Sequence, residues 1–171
     1  MVRHAILAWK DHGDEECDAV FASLLADSVV RILHASHVST THLALVPAPS
    51  SVSSMHRRGR WQMLPIAKAM ARDLHGYGFS VVVRPVLQLE GVHSKSVQAS
   101  NASARSRRIA GHVRVAEDLV DDGSLFIVVD DIVTTGATMR HCMDALRSAG
   151  VQRVMGCVLA CTPNPSPDTK C

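Results

Sequence analysis

The sequence predicts an α/β fold, a parallel sheet flanked by helices, and three observations carry that prediction. Residues 125–133 read Leu-Phe-Ile-Val-Val-Asp-Asp-Ile-Val and open with five consecutive apolar residues. A strand without polar alternation is buried on both faces, as strands inside parallel sheets are. A helical pattern over 139–149 and a second apolar strand over 153–160 come directly after it, and this order predicts a right-handed parallel crossover. Finally, 171 residues with 47% hydrophobic content suit one domain, 1–171, with a sizeable core.

From the start of the chain, residues 1–35 read as helical. Val2, Ala5, Ile6 and Trp9 share one face, and Val20, Phe21, Leu24, Leu25, Ile32 and Leu33 form a second apolar stripe. Lys10-Asp11-His12-Gly13-Asp14 separates the two and supplies an acidic cap. His42–Val46 is the first strand. It runs into Pro47-Ala48-Pro49-Ser50-Ser51, where two prolines stiffen the loop and serines and backbone amides offer donors to an anion. His56-Arg57-Arg58-Gly59-Arg60-Trp61-Gln62 is a basic turn with one aromatic residue. The helix after it gathers Leu64, Ala67, Met70, Ala71 and Leu74 on one face and stops near Gly76 and Gly78. Val81–Leu87 is the next strand, with Pro85 marking an edge or a strand end. Gly91–Ala116 contains no acid, is rich in Ser, Ala and Asn, and carries Lys95, Arg105, Arg107 and Arg108, the pattern of a mobile basic loop. Beyond the central strand, Met139, Cys142, Met143, Leu146 and Ala149 make the stripe of a helix closed by Gly150, and Arg153–Ala160 is the last strand. The tail 164–171 is expected to be flexible.

Charge is segregated along the chain. Residues 28–116 hold 12 of the 18 Lys and Arg against 2 of the 16 acids, a net of +10; the rest carries 6 against 14, a net of −8. A basic middle attracts pyrophosphate, nucleotide or single-stranded nucleic acid, and its sign alone does not choose among them. Nowhere do 18 apolar residues run together, and Ala5–Trp9 is too short for a signal peptide's hydrophobic region. The expectation is a cytoplasmic protein without a membrane partner. Five cysteines with no C-x-x-C pair indicate neither a disulfide framework nor a zinc ribbon, and they read as core or terminal thiols.

The stretch 128–138 carries the chemistry. Asp130 and Asp131 stand at the carboxyl end of the central strand, where open α/β sheets hold their ligands. Thr134-Thr135-Gly136-Ala137-Thr138 then leads into a helix; its N–H groups, hydroxyls and helix dipole form a phosphate cradle. Carboxylates that accept hydrogen bonds from vicinal hydroxyls, beside such a cradle, suit a sugar phosphate. The run Val128-Val129-Asp130-Asp131-Ile132-Val133-Thr134-Thr135-Gly136-Ala137-Thr138 resembles, over its whole length, the signature of type I phosphoribosyltransferases that bind phosphoribosyl pyrophosphate (PRPP). That resemblance implies a type I phosphoribosyltransferase fold, a Rossmann-like parallel sheet flanked by helices. It also implies transfer of phosphoribose to a nitrogenous base, with inversion and release of pyrophosphate. Asp130 and Asp131 are then the catalytic carboxylates at the ribose hydroxyls, and 134–138 takes the 5′-phosphate of PRPP or of a nucleoside 5′-monophosphate. Ala48, Pro49 and Ser50 correspond to the pyrophosphate loop; Arg57, Arg58, Arg60, Lys95, Arg105, Arg107 and Arg108 are the basic loops around it. Mg²⁺ is the implied cofactor, held mostly by substrate oxygens and water, with no protein side chain nominated as its ligand.

Within that group the chain is most similar to the ComF-type proteins. The features are Val46-Pro47-Ala48-Pro49 followed by arginines, an aromatic-Gln pair at Trp61-Gln62, Gln98, and Arg107-Arg108-Ile109-Ala110-Gly111. Val2–Gly13 also resembles the opening of those proteins. Arg60-Trp61-Gln62 stands where that group has Phe-Asn-Gln, Ile109 where it tends to have Asn, and the cysteine-rich zinc segment common there is not found in this chain. The resemblance implies an alternative: a non-catalytic accessory protein of DNA uptake that binds nucleotide or single-stranded DNA beside a helicase partner, with Trp61 stacking on a base. A PRPP-responsive regulator is a third reading, and a homodimer is compatible with all of them.

Overall fold

A computed structural model of the chain describes residues 6, 9, 15–89, 113–116 and 119–162. In chain order its elements are α1 (Glu16–Ala35), β1 (His42–Pro47), α2 (Val52–Arg58), α3 (Met63–Gly76), β2 (Ser80–Val83), β3 (Leu87–Leu89), β4 (Val113–Val115), β5 (Leu125–Val133), α4 (Ala137–Ser148) and β6 (Val154–Cys161). Four strands form a parallel sheet in the order β2-β1-β5-β6, while β3 and β4 make a separate antiparallel pair. β5 is interior, with Leu43 opposite Leu125 on one side and Val154 opposite Phe126 on the other.

Successive side chains of a strand face opposite ways, and in β5 the alternation divides the core in two. Leu125, Ile127 and Val129 join the core under α1 and α3, whereas Phe126 and Val128 join a second core with Cys142 and Leu146 of α4. Both faces are covered by helices, so every position from 125 to 129 is buried and apolar, as the sequence predicts. On burial of apolar area alone each such side chain contributes about 1.5–3 kcal/mol.

Three expectations are corrected. In α1 the core face is Phe21, Ala22, Leu25, Ala26, Val29 and Leu33, while Val20, Leu24 and Ile32 of the predicted stripe are exposed at 59%, 52% and 44%. The alanines decide this: α1 packs closely on α3 along a face where only small side chains fit between larger ones. The predicted strand 81–87 is two strands. Arg84 N still donates to Leu45 O at 2.8 Å, but Pro85 has no N–H to continue the ladder, and the chain leaves the sheet to pair with β4. Val113–Val115, which the sequence pattern assigns to the basic loop, is that partner strand. Ile6 and Trp9 are helical and buried as expected; the other residues of 1–14, most of the basic loop and the tail 164–171 lie outside the described residues. No helix among the described residues is long and apolar enough to cross a membrane.

Candidate functional site

The site is built at the carboxyl end of β5. Gly136 has φ +73°, a left-handed conformation that side chains resist, and it caps the start of α4. The first turn of any helix leaves N–H groups without intrahelical acceptors, and here that turn faces the loop. Thr135 Oγ1 accepts from Ala137 N at 3.4 Å. The loop's entry is pinned to β6: Thr162 N donates to Val133 O at 2.9 Å and Thr162 Oγ1 to Thr134 O at 3.3 Å. Asp130 and residues 132–139 enclose a cavity of about 70 Å³. About 10–15 Å³ of such space holds one water molecule, so the cavity has room for a small polar group.

Asp130 and Asp131 are adjacent on a strand and point to opposite faces. Asp130 is half-buried, lines the cavity and lies on the α4 side, close enough to Cys142 for its charge to act on that thiol. Burial first, and then the Asp130 carboxylate, push the Cys142 thiol up to about 12. Asp131 is buried at 8% exposure; its Oδ1 accepts from Ile132 N at 2.5 Å, while Asp131 N donates to Asp130 Oδ1 at 2.9 Å. The cradle and Asp130 therefore share one small cavity, and Asp131 stands on the opposite face of the strand.

The loop 48–50 lies beside this end of the sheet. Ala48 N donates to Val129 O at 2.9 Å, extending the β1–β5 ladder by one residue, and Ala48 O accepts from Trp61 Nε1 at 2.8 Å. Trp61 packs against the core and so is committed to holding the loop, an arrangement that the sequence does not show. Ser51 caps α2 by accepting from Ser54 N at 3.2 Å, and Gly59 ends α2 at φ +71°. The three arginines around this helix differ. Arg60 is inside, paired with Asp18 at 2.7 and 3.0 Å, lying 5.9 Å from the centre of the Trp9 ring and 3.8 Å from Glu15. Arg57 is exposed and Arg58 half-buried, the latter with its Nε buried and without a hydrogen-bond partner; neither forms an ion pair among the described residues. Lys95, Arg105, Arg107 and Arg108 lie outside the described residues.

Cys17, Cys142 and Cys157 stand outside any disulfide, while Cys161 is disulfide-bonded, which corrects the reading of every cysteine as a thiol. Among the described residues no three His, Cys, Asp or Glu side chains come together as a metal cage. The donors at the cavity are the hard oxygens of Asp130 and the loop hydroxyls. These fit a Mg²⁺ ion that keeps its water and substrate ligands and touches the protein at one or two points.

Residues 63–169 match the family described as the phosphoribosyl transferase domain. No curated protein matches the chain. Among solved structures, hypoxanthine phosphoribosyl transferase of Trypanosoma cruzi is 14% identical with a TM-score of 0.52, covering 88% of this chain and 76% of its own. A hypoxanthine phosphoribosyltransferase of Staphylococcus aureus is 15% identical with a TM-score of 0.47 over 87% of this chain, which spans only 65% of that enzyme's length.

Proposed function

The chain belongs to the phosphoribosyl transferase domain family and has the α/β type I phosphoribosyltransferase fold; from that premise we propose that it binds PRPP and transfers phosphoribose to a nitrogenous base. One observation carries the reading. The complete run Val128–Thr138 sits at the carboxyl end of an interior parallel strand, with Gly136 left-handed and Asp130 lining the same cavity as the cradle. The cradle takes the 5′-phosphate and Asp130 accepts from a ribose hydroxyl. Attack at C1 forms the bond to the base nitrogen as the bond to pyrophosphate breaks, with inversion and with positive charge growing on the sugar in between. A carboxylate held near the ribose stabilises that charge, and two anchored ends of one substrate keep C1 in line. Asp131 acts from the other face of the strand, through the stretch of β5 backbone that it and Asp130 brace. Ala48, Pro49 and Ser50 face the pyrophosphate, with Arg57 and Arg58 near it. Mg²⁺, when bound, neutralises charge on the departing pyrophosphate. Calorimetry with PRPP and with nucleoside 5′-monophosphates, with and without Mg²⁺, tests this: Mg²⁺-dependent binding of PRPP is expected, and no heat with folded protein contradicts it.

A second reading, a ComF-type accessory protein of DNA uptake acting in the cytoplasm with a helicase partner, is favoured by Arg57 and Arg58, which no acid neutralises among the described residues. Single-stranded DNA would then meet these arginines rather than Trp61, whose indole is occupied at Ala48. Steep loss of DNA affinity with salt, removed by Arg57→Ala with Arg58→Ala, supports that reading; a flat salt response rejects it.

A further inference from the structure

α1 has two apolar faces, and the core takes only one of them. Phe21, Leu25, Val29 and Leu33 turn inward, while Val20, Leu24 and Ile32 stay exposed at 59%, 52% and 44%. With Ser28 these three make one row at four-residue spacing, the spacing that raises a ridge on a helix surface. Ser28 does not interrupt the row, because its hydroxyl is turned back onto the helix and donates to Leu24 O at 2.8 Å. A single exposed leucine needs no explanation, but a continuous apolar ridge over about three turns does.

The charges beside the ridge indicate what covers it. The adjoining row carries Asp27 and, one turn later, Arg31. Asp27 is held in place by Tyr77, whose hydroxyl donates to Asp27 Oδ1 at 2.7 Å, and Arg31 is exposed and forms no ion pair among the described residues. Glu16 stands in the first turn of α1 and His34 in the last. A surface with its acids toward one end and its bases toward the other is complementary to a reversed copy of itself.

We propose that this ridge is an interface with a second copy of the chain, the two α1 helices crossing antiparallel about a two-fold axis near Ser28. Ridges of four-residue spacing interdigitate at about 50°, and the small Ser28 at the crossing point lets the helices approach closely. Leu24 of each chain then packs on Ile32 of the partner subunit, and Asp27 lies beside Arg31 of the partner subunit. A parallel crossing would set Asp27 against Asp27 and Arg31 against Arg31. α1 packs on the face of the sheet opposite α4, so the pairing leaves the cradle open and is independent of what the cradle binds. One crossed helix pair buries less than the roughly 1,200 Å² at which standard interfaces begin. The dimer is therefore of the weak class, half-associated on the order of 10 μM.

The test is sedimentation equilibrium of the full chain over about 1 to 200 μM, a range on either side of that value, with Leu24→Asp, with Arg31→Asp, and with Asp27→Arg added to Arg31→Asp. Leu24 and Arg31 are exposed, so at low concentration Leu24→Asp and Arg31→Asp should melt within about two degrees of the parent. The parent should pass from monomer to dimer as concentration rises. Leu24→Asp should weaken association at least roughly 100-fold, because it sets a charge in the apolar centre of the contact. Arg31→Asp should weaken it roughly 10-fold, since two symmetric pairs turn from attraction to repulsion, and adding Asp27→Arg should restore most of that loss. A parent that stays monomeric at the highest concentration, or a Leu24→Asp variant that dimerises as the parent does, overturns the interface. Failure of Asp27→Arg to rescue Arg31→Asp overturns the antiparallel pairing.

Discussion

Gly136 cannot be replaced without disturbing both its own backbone and the neighbour lying over it. A side chain there costs about 1–2 kcal/mol at a left-handed φ and pushes the Arg140 guanidinium aside. Gly136→Val should therefore abolish binding of PRPP while the protein still folds, read by calorimetry alongside far-ultraviolet circular dichroism. Retained affinity would show that the phosphate does not approach this backbone. The thiols give a pH prediction. Burial pushes Cys142 from 9.0 to about 12, and Cys157 from 9.0 to about 11. Between those values the unfolded chain releases protons that the folded chain retains, so stability is unaffected below pH 9.0 and falls as pH rises toward 12. Urea melts should show a shallower alkaline loss for Cys142→Ala than for the parent; equal slopes would contradict it. At this scale the motif makes Gly136 and Asp130 legible from sequence. Arg140 is not, because nothing in a sequence shows which way an arginine one turn along will fold.

At the scale of elements, Arg60 and its neighbours 57 and 58 separate by partner. Asp18 accepts from both Arg60 and Trp9, at 2.7 Å in each case, and so ties α1 to the turn between α2 and α3. The Arg60 and Asp18 side chains are 18% and 13% exposed. Removing one member of a pair this buried costs about 3 kcal/mol, because the other charge is left uncompensated. Arg60→Gln should lower the melting temperature by several degrees and leave ligand affinity nearly unchanged, whereas Arg57→Ala with Arg58→Ala should do the reverse. Equal melting temperatures for the two variants would refute the division. β6 offers a second test, since a Cβ on Gly156 would lie 2.7 Å from Met139 Sδ in the first turn of α4. Gly156→Ala should destabilise by about 1–3 kcal/mol through overpacking, and Met139→Ala in the same chain should recover part of it. A fully additive double variant would mean that the two do not touch. Much of this level can be read in advance: β1, β5, β6, α3 and α4 come from apolar runs and helical spacing. The misreadings have local causes. Hydrophobicity alone selects the stripe of Val20, Leu24 and Ile32, while close helix packing selects Ala22 and Ala26; one missing N–H at Pro85 breaks the strand 81–87. The pair β3–β4 joins residues far apart in sequence, and no local pattern reports such a pairing.

For the molecule as a whole, the sheet places the acidic end of β5 beside the loop after β1, which leads into the helix that carries Arg57 and Arg58. The net of +10 over 28–116 and −8 elsewhere is compatible with the proposed sugar phosphate, whose phosphates call for cations and whose hydroxyls call for a carboxylate, but the charge pattern by itself selects only for anions. The fold is legible because a both-faces-buried strand ending in two acids and a glycine cradle has few other uses. The acceptor base is not, since no motif in the chain marks the residues that would surround it. The most direct measurement is release of pyrophosphate from PRPP with Mg²⁺ across a panel of purine and pyrimidine bases, for the parent and for Asp130→Asn with Asp131→Asn. The predicted result is release that depends on one class of base and drops by orders of magnitude in the double variant. Folded parent protein that releases no pyrophosphate with any base, or a double variant as fast as the parent, would contradict the account.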